Sequence, residues 1–206
     1  MAAPVAALLF DIGNVVIDVD FARTLTAWQK SSALSLAELK ARFGMDEPYR
    51  QHEVGVLATP QYFAHLRGQL RLDCDDATVL AGWNATFGAP VAGTLALIDQ
   101  VRERVPCFAF SNTNKLHMDE MQKNFADVLQ RFEHVFASHE IGHRKPQAAA
   151  FRYVLEKIGR PAEQVLFFDD LAENVEGAAA CGLQAVLFRE PEDVRRELAA
   201  RGLLAP

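Results

Sequence analysis

Four polar clusters in the sequence each follow closely on a short apolar run. The first three begin at Asp11, Ser111 and Lys145, and the last contains the pair Asp169 and Asp170. Three carboxylates brought to one place would repel each other, which raises the pKa of at least one of them. A hard cation relieves that repulsion, and oxygen ligands with few nitrogen or sulfur competitors favour Mg²⁺. With Lys145 as a second positive charge, the set is typical of a carboxylate nucleophile that attacks a phosphoryl group.

The apolar runs that carry these clusters are predicted to be strands of one sheet. Their continuous apolar character is typical of strands that are covered on both faces. The predicted strands span residues 5–10, 107–111, 135–138, 165–168 and 184–188. Helices are predicted between the last four strands, at about residues 115–129, 147–158 and 174–181. This alternation indicates an α/β fold with a doubly wound parallel sheet, which binds ligands at the carboxyl ends of its strands.

Nearly a hundred residues separate the first predicted strand from the second, and most of them have helical patterning. Ser35 with Glu38 matches a capping box, and Thr59 followed by Pro60 matches a helix N-cap with proline in the first turn. Residues 90–105 then match a helix that returns to the sheet. The sequence therefore predicts a core domain of residues 1–17 and 89–206, interrupted by a helical insertion at residues 18–88.

The composition limits the class of protein and its partners. The 206 residues are 50% hydrophobic with a formal charge of −6, and no run of lysine and arginine occurs. This argues against nucleic-acid binding, although a local pocket can still bind a small anion. Cys74, Cys107 and Cys181 show no paired spacing, so we expect reduced thiols and a cytoplasmic location. We expect no membrane span, because no apolar run approaches about 18 residues, and no signal peptide, because the start lacks basic residues.

The four clusters also resemble, in the same order, the motifs of a known superfamily. FDIGNVV resembles motif I, FSNTN motif II, GHRKP motif III and FFDDLAENVEGA motif IV of the haloacid dehalogenase (HAD) superfamily. The helical insertion resembles its C1-type cap. More narrowly, FDIGNVVIDVDF, RQHEVG, SNTNKLH and FFDDLAENVEGA resemble bacterial α-D-glucose-1-phosphate phosphatases. The resemblance implies a HAD-like, Rossmann-like core and Mg²⁺-dependent hydrolysis of a small phosphomonoester, with a sugar phosphate such as glucose 1-phosphate as the expected substrate.

The resemblance implies a metal role for the residues that match motifs I and IV. Asp11 would be the nucleophile that forms an aspartyl-phosphate, and it would also be a ligand of Mg²⁺. Gly13 would offer its backbone carbonyl to the metal. Asp170 matches the direct metal ligand of motif IV, while Asp169 would act through water.

The phosphate and the leaving group would be bound by other residues. Ser111 and the backbone of Asn112 would bind phosphoryl oxygens, and Lys145 would neutralise both the nucleophile and the transferring phosphate. The residues expected to select the substrate lie in the insertion: Arg50, His52, Glu53, Trp83 and Asn84. The alternative is that Trp83 belongs to the core of the insertion and that the others are ordinary polar residues on helix surfaces.

One position departs from the usual phosphatase motif, DxDxT. Its second aspartate, which protonates the leaving group and later activates water, is replaced by Gly13. General acid–base catalysis contributes roughly 10²–10⁴-fold in rate, so its loss favours esters with good leaving groups. An anomeric sugar hydroxyl leaves more easily than an ordinary alcohol. His52 or Glu53 could supply the missing group if the insertion brings either one close.

Other functions stay open on these residues. A 2-haloacid dehalogenase-type hydrolase would use Asp11 without metal, but such enzymes do not keep the metal-binding pair at Asp169 and Asp170. A catalytically impaired HAD-like binding protein would fit Gly13, yet it would have no need of Lys145. A phosphomutase commonly relies on the second aspartate that is missing here. We expect a small-molecule phosphoester substrate, no nucleic-acid or membrane partner, and either a monomer or a homodimer.

The sequence also contains a zinc-protease pattern, HExxH, at residues 139–143. That pattern needs a continuous helix to bring both imidazoles to one face, and Glu163 has the spacing of a third ligand. Here the pattern follows a predicted strand, contains Gly142 and meets Pro146 soon afterwards. We interpret the segment as the strand-to-helix loop that carries Lys145. The remaining histidines, His65, His117 and His134, have no partners at metal-ligand spacing.

Overall fold

The computed structural model describes residues 3–204, in which strands and helices alternate. The strands are β1 (Ala7–Phe10), β2 (Ile17–Val19), β3 (Phe87–Pro90), β4 (Cys107–Ser111), β5 (His134–Ala137), β6 (Val165–Asp169) and β7 (Gln184–Leu187). The helices are α1 (Phe21–Gln29), α2 (Leu36–Arg42), α3 (Glu47–Glu53), α4 (Thr59–Leu70), α5 (Asp76–Asn84), α6 (Ala92–Val101), α7 (Lys115–Asn124), α8 (Ala126–Leu129), α9 (Ser138–Ile141), α10 (Ala148–Ile158), α11 (Ala172–Ala180) and α12 (Pro191–Ala200). The ends of the predicted core domain, Met1, Ala2, Ala205 and Pro206, lie outside the described residues. Between residues 3 and 204, no helix has both the length and the apolar character needed to cross a bilayer.

Five strands form a parallel sheet in the order β5-β4-β1-β6-β7. The central strand β1 is fully buried, and its side chains alternate between two apolar clusters. Leu8 and Phe10 pack on one face of the sheet, while Ala7 and Leu9 pack on the other. Because helices cover both faces, this strand is apolar at every position. The predicted fold class, a doubly wound parallel α/β sheet, is confirmed.

Two of the predicted helices have different limits in the structure. The helix predicted over residues 115–129 is interrupted at Phe125, where the backbone leaves the helical conformation (φ −132°, ψ 28°). The ring of Phe125 packs against that of Phe87, with 5.9 Å between their centroids. The helix predicted over residues 90–105 is shorter at both ends, because Pro90 belongs to β3 and α6 ends at Val101.

One of the two predicted helix caps is confirmed. Ser35 and Glu38 form the capping box, in which Ser35 Oγ accepts from the N–H of Glu38 (3.3 Å) and Glu38 Oε2 accepts from the N–H of Ser35 (2.8 Å). The N-cap predicted at Thr59 is wrong by one residue, because Thr59 is already the first helical residue and Ala58 is the cap. Ala58 has no side-chain oxygen, and Gln61 compensates by accepting from its N–H (3.2 Å).

Helices α1–α5, which we call the helical unit, surround an apolar core that is separate from the two clusters of the sheet. At its centre Trp28 and Trp83 stack, with centroids 6.0 Å apart and planes at 7°. Trp28 Nε1 donates to the carbonyl of Val79 (3.0 Å). This close packing of α1 on α5 requires Gly82, because a Cβ there would lie 2.1 Å from Trp28 Nε1.

A two-stranded antiparallel ribbon of β2 and β3 joins the helical unit to the sheet. Arg23 links the two strands near one end of the ribbon, since its guanidinium donates to the carbonyl of Thr86 (2.7 Å) and to the carboxylate of Asp18 (2.8 Å). The sequence does not predict this ribbon. Its strands have only three and four residues, and Gly88 and Pro90 interrupt any period-two pattern in the second.

Candidate active site

Lys145 lies at the centre of a charged site at the carboxyl ends of the strands. Its side chain is only 1% exposed, and Nζ lies 2.9 Å from Asp11 Oδ1 and 2.6 Å from Asp169 Oδ2. Nζ also donates to the carbonyl of Phe110 in β4 (2.9 Å). A buried ammonium group needs such partners, because it has lost the hydrogen bonds that water would provide. The structure therefore brings together residues from the first, third and fourth predicted clusters.

The charges of these groups depend on one another. Burial alone would lower the pKa of Lys145, but the negative charges of Asp11 and Asp169 outweigh it, so the pKa of the ammonium group is raised. Burial raises the pKa of Asp11 to about 7, with Lys145 opposing the shift and Asp169 and Asp170 adding to it. One lysine does not compensate three carboxylates, so this site favours a further positive charge.

Asp11, Asp169 and Asp170 form an aspartate cluster that could hold a cation. Each has a carboxylate oxygen within 4.8 Å of the other two. Asn174 Nδ2 donates to Asp169 Oδ1 (2.9 Å), and Asn14 Nδ2 donates to Asp170 Oδ2 (3.0 Å), so two of the carboxylates are oriented by amides. Hard oxygen donors of this kind, without histidine or cysteine among them, fit Mg²⁺.

The turn after β1 completes this side of the site. Gly13 lies on the wall of the same cavity as Asp11 and Asp170. Asn14, which follows, has a left-handed backbone (φ 58°), a conformation that asparagine tolerates better than most residues. Its Oδ1 accepts from the N–H of Val19 (3.0 Å), which fixes the amide that reaches Asp170.

Ser111, the last residue of β4, and Asn112, which follows it, lie on the other side of Asp11. Ser111 is 6% exposed and lines the cavity together with Asp11. The side chain of Asn112 joins two loops, since Oδ1 accepts from the N–H of Lys145 (2.8 Å) and Nδ2 donates to the carbonyl of Lys145 (3.0 Å). These two bonds hold the backbone of Lys145 so that its side chain enters the site. Because the amide of Asn112 is committed to this loop, a ligand would meet its backbone.

The carboxyl-terminal edge of the sheet, with the turns that follow its strands, is called the rim. A cavity of about 200 Å³ separates the rim from the helical unit. The sheet contributes Asp11, Gly13, Ser111, Asn112, Lys145 and Asp170 to its wall. The helical unit contributes Phe21, Met45, Tyr49 and Glu53. Asp169 is fully buried behind the wall, where it contacts Lys145.

Helix α3 presents one face to the cavity. Tyr49 and Glu53, four residues apart, lie on that face. His52 packs inside the helical unit, where its ring stacks on Tyr62 with centroids 4.4 Å apart and where burial lowers its pKa to about 4. Arg50 is exposed to solvent, and neither Arg50 nor His52 lines the cavity. Of the three α3 residues predicted to select the substrate, the structure brings Glu53 alone to the site.

The C-terminal end of α3 is fixed to the core. Glu53 Oε2 lies 2.8 Å from Arg144 Nε, although neither atom makes an aligned hydrogen bond. Burial raises the pKa of Glu53, and the positive charge of Arg144 opposes that shift. The hydroxyl of Ser138 donates to the carbonyl of Glu53 (2.6 Å) and accepts from the N–H of Thr113 (2.9 Å). The loop after β4 and the first residue of α9 therefore hold this end of the helix.

The other two predicted residues of the insertion, Trp83 and Asn84, do not line the cavity. Trp83 is fully buried in the core of the helical unit, and Asn84 Nδ2 donates to Glu120 Oε2 on α7 (2.9 Å).

His117 does line the cavity, although the sequence offered no partner for it. Its ring stacks on that of Trp83 (4.6 Å), and burial lowers its pKa to about 3, so it is neutral at physiological pH.

The HExxH segment does not form one helix. Helix α9 ends at Gly142, which has a left-handed backbone (φ 75°), so His139 lies on the helix and His143 beyond it. The segment connects β5 to the loop of Lys145, as predicted. Across residues 3–204, the aspartate cluster is the only group of three or more His, Cys, Asp or Glu residues close enough to share a metal.

Burial raises the pKa of the Cys107 thiol to about 12, which leaves it protonated and inert.

The sequence predicts no role in the site for several residues of the cavity wall, although some of them stand within its motifs: Asn14, Tyr49, Thr113, His117 and Arg144. The spacing of four residues from Glu53 could have identified Tyr49, because both lie on one face of α3. No sequence signal indicates the contact of Arg144 with Glu53. That contact depends on how the helical unit docks onto the sheet.

Comparison with known proteins identifies the family. The model of haloacid dehalogenase-like hydrolases matches residues 5–182. The chain is 29% identical over 204 residues to a drimenol cyclase of Aspergillus calidoustus, a match that covers 94% of this chain and 36% of that protein. The chain thus spans about a third of the length of this relative. It is 25% identical over 214 residues to a phosphatase of Mycobacterium tuberculosis, which covers 97% of this chain and 96% of the relative.

The fold agrees with this match. A HAD family enzyme from Bacteroides thetaiotaomicron superposes on the structure with a TM-score of 0.83 at 24% identity, covering 95% of this chain and 99% of that chain. The matched residues 5–182 include all four polar clusters, from Asp11 to Asp170. The chain therefore belongs to the haloacid dehalogenase-like hydrolase family, as the resemblance of its motifs predicted.

Proposed function

We propose that this protein is a Mg²⁺-dependent phosphatase that hydrolyses a small phosphomonoester through an aspartyl-phosphate on Asp11. The observation that carries the proposal is the buried Lys145, held between Asp11 and Asp169 with Asp170 beside them. A cation in this position lets a carboxylate approach a phosphate dianion without prohibitive repulsion. A binding protein without catalysis would gain little stability from burying these charges.

The residues of the rim then have distinct tasks. Oδ1 of Asp11 already accepts from the N–H of Ile12 (2.7 Å) and contacts Lys145, so Oδ2 is the oxygen that we expect to attack phosphorus. The hydroxyl of Ser111 and the backbone N–H of Asn112 donate to phosphoryl oxygens. Lys145 neutralises charge on both Asp11 and the transferring group.

The aspartate cluster is the proposed Mg²⁺ site. Asp11, Asp170 and the carbonyl of Gly13 are its proposed ligands, and Asp169 acts through water. When bound, the metal neutralises charge on the phosphoryl oxygens. A HAD family enzyme from Bacteroides thetaiotaomicron, 24% identical with a TM-score of 0.79, was solved in complex with magnesium and inorganic phosphate, which makes Mg²⁺ the first metal to test.

The proposed substrate is a sugar phosphate such as glucose 1-phosphate. A cavity of about 200 Å³ accommodates a small leaving group, and Tyr49, Glu53 and Arg144 give its wall polar groups that suit hydroxyls. Gly13 stands where phosphatases commonly have a proton-transferring aspartate, which favours a leaving group that departs readily. A D-ribitol-5-phosphate phosphatase of Bacteroides thetaiotaomicron is 22% identical over 199 residues, or 93% of this chain and 95% of that protein.

We also propose that residues 1–17 and 89–206 form a core domain and that residues 18–88 form a cap over its active site. The separate apolar core of the helical unit supports this division. The ribbon of β2 and β3 crosses both proposed boundaries, so it would act as the connection between the two domains.

A screen of phosphate release from sugar phosphates, nucleotides and small phosphoesters, with and without Mg²⁺, tests the proposal. We expect release that requires Mg²⁺ and that falls at least about 10³-fold in Asp11→Asn, because an amide is not a nucleophile for phosphorus. Asp119→Asn is the matched control: Asp119 is an exposed partner of Lys115 on α7, and its variant should keep full activity. Undiminished phosphate release by Asp11→Asn would contradict the proposal.

The same proteins test the dehalogenase alternative with 2-chloropropionate. The proposal predicts no chloride release. Chloride release that persists in EDTA and disappears in Asp11→Asn would show that this site catalyses dehalogenation and would contradict the phosphatase proposal.

A further inference from the structure

Gly13 leaves the proposed reaction without a proton carrier at the usual position, and the opposite wall of the cavity offers another. We propose that Glu53 is the general acid and general base of this site and that Arg144 is the residue that positions it. This inference rests on the proposed phosphatase function, to which it adds the group that protonates the leaving group and activates water.

Glu53 has the location that this role requires. Among the described residues, it is the carboxylate that the helical unit contributes to the cavity wall, opposite the rim that carries Asp11. A substrate whose phosphate lies at the rim must place its leaving group in the space between the two. His52, the other residue of the sequence-based hypothesis, packs against Tyr62 and does not reach this space.

Glu53 is buried, and one of its two carboxylate oxygens, Oε2, has a charged neighbour but no aligned hydrogen bond. It is 3% exposed, and its Oε2 lies 2.8 Å from Arg144 Nε with neither atom in an aligned hydrogen bond. A buried polar atom without a partner costs free energy, so such atoms are rare unless a ligand or water completes them. A hydroxyl or ester oxygen in the cavity would be that partner.

The groups around Glu53 allow it to exist in both protonation states. Burial favours its neutral acid and thereby raises its pKa, while the charges of Arg144 and Lys145 favour the carboxylate. The other titratable groups that face it are the phenols of Tyr49 and Tyr62, and helix α9, which packs on α3, carries His139 and Glu140. A proton carrier must be stable in both forms during each turnover.

The position of Glu53 relative to the rim is fixed by the contacts of its backbone. Its carbonyl accepts from Ser138 Oγ (2.6 Å), and Ser138 belongs to the core. Two residues later, Gly55 has a left-handed backbone (φ 73°), and a Cβ there would lie 2.8 Å from the carbonyl oxygen of His139. The chain can therefore approach the core this closely only with glycine at position 55.

The proposed proton transfers balance over one turnover. First, Asp11 bonds to phosphorus as the bond from phosphorus to the leaving oxygen breaks, and the acid form of Glu53 gives its proton to that oxygen. The alcohol departs, and Arg144 holds the carboxylate of Glu53 that results. Next, a water oxygen bonds to the phosphorus of the aspartyl-phosphate as the bond from phosphorus to the Asp11 oxygen breaks, and a proton of that water passes to Glu53. Inorganic phosphate leaves, the Asp11 carboxylate is restored, and Glu53 is again an acid.

Comparison of two esters tests this inference in Glu53→Gln. The leaving group of p-nitrophenyl phosphate needs no proton, whereas that of an alkyl or sugar phosphate does. For the alkyl or sugar phosphate that the screen finds fastest, we expect kcat/KM to fall at least about 10²-fold, against less than about 5-fold for the aryl ester. With the aryl ester, kcat of the variant should be lower than that of the wild type. A burst of p-nitrophenol should precede the steady state, because the aspartyl-phosphate accumulates when Glu53 no longer activates water. Glu47→Gln, which changes an exposed residue of the same helix, should leave both reactions unchanged.

The wild-type enzyme gives a second measurement that does not depend on how well the variant folds. As the pH rises, kcat/KM for the alkyl or sugar ester should fall relative to that for the aryl ester, because Glu53 acts as an acid only when protonated. Equal losses on both esters in Glu53→Gln, or a wild-type ratio that does not change with pH, would overturn this inference. The phosphatase proposal would then still stand on the loss of activity in Asp11→Asn. A wild-type protein that releases phosphate from no ester would overturn both.

Discussion

At the scale of single residues, the site is dominated by buried charge. Lys145 lies between Asp11 and Asp169, where carboxylates rather than water compensate its ammonium group. Such an arrangement adds little to stability compared with apolar residues of the same size, because the loss of hydration offsets most of the attraction. It is explained more readily by the proposed reaction, in which the same cation holds the nucleophile and neutralises the phosphate.

Lys145→Met should destabilise the fold and abolish turnover. Removal of one partner from a buried ion pair typically costs about 3–5 kcal/mol, and here Asp11 and Asp169 would face each other without a cation. Without Lys145 to oppose the shift, the pKa of Asp11 would rise further, so Asp11 would keep its proton to higher pH in the folded state than in the unfolded state. A folded state that binds more protons loses stability as the pH rises, so the loss should be larger at pH 8 than at pH 5. Urea unfolding at both pH values measures it.

Lys115→Met is the control for this variant. Lys115 is exposed and pairs with Asp119 on the surface of α7, so its removal should change the free energy of unfolding by less than about 0.5 kcal/mol. Mg²⁺ should restore part of the stability of Lys145→Met, because a cation in the aspartate cluster replaces the missing charge. Equal losses at pH 5 and pH 8 would show that lost packing, and not lost charge, destabilises the variant.

How far the sequence predicts a site residue depends on what positions it. Asp11, Ser111 and Asp169 follow apolar runs, and parallel strands bring their carboxyl ends to one edge, so their meeting could be predicted. For α3, the sequence could not show which residues face the cavity and which face solvent. Arg50 and Glu53 stand in one short motif, yet the first faces solvent and the second faces the cavity. That difference is set by how the helical unit docks, which no local pattern records.

At the scale of elements, local signals predict ends of helices better than pairings of distant segments. The capping box of Ser35 and Glu38 acts within four residues, and it forms as predicted. The ribbon of β2 and β3 pairs Ile17 with Pro90, far away in the chain, and neither strand has a pattern of its own. Arg23 of α1 contacts both strands, so their pairing involves residues of the helical unit as well as their own.

Gly82→Ala tests the packing of α1 against α5. A Cβ at this position would lie 2.1 Å from Trp28 Nε1, so the indole would have to move from Trp83 and from the carbonyl of Val79. We expect a loss of about 1–3 kcal/mol in the free energy of unfolding, which is typical of overpacking. Gly68→Ala is the matched control on α4, where nothing lies within 4 Å, and it should gain about 0.5–1 kcal/mol. An unchanged midpoint for Gly82→Ala would show that α1 can shift away at little cost.

At the scale of the whole molecule, the net charge of −6 is a poor guide to the active site. Part of that charge is the aspartate cluster, which suits a metal and a phosphate only because Lys145 lies beside it. The cavity lies between two separately packed parts, the sheet and the helical unit. A ligand that fills this cavity contacts both, so we expect its binding to strengthen their association as well.

Hydrogen exchange can measure this coupling between the sheet and the helical unit. With Mg²⁺ and inorganic phosphate at about 100 times their apparent Kd, binding stabilises the folded state by up to about 2.7 kcal/mol. Amides of α3 should then exchange up to about 100-fold more slowly, because Tyr49 and Glu53 close the cavity on that side. Asp170→Asn, which weakens the aspartate cluster, should lose most of this protection. If phosphate raises the melting temperature while exchange in α3 stays unchanged, the sheet alone binds the ligand, and the helical unit does not close over it.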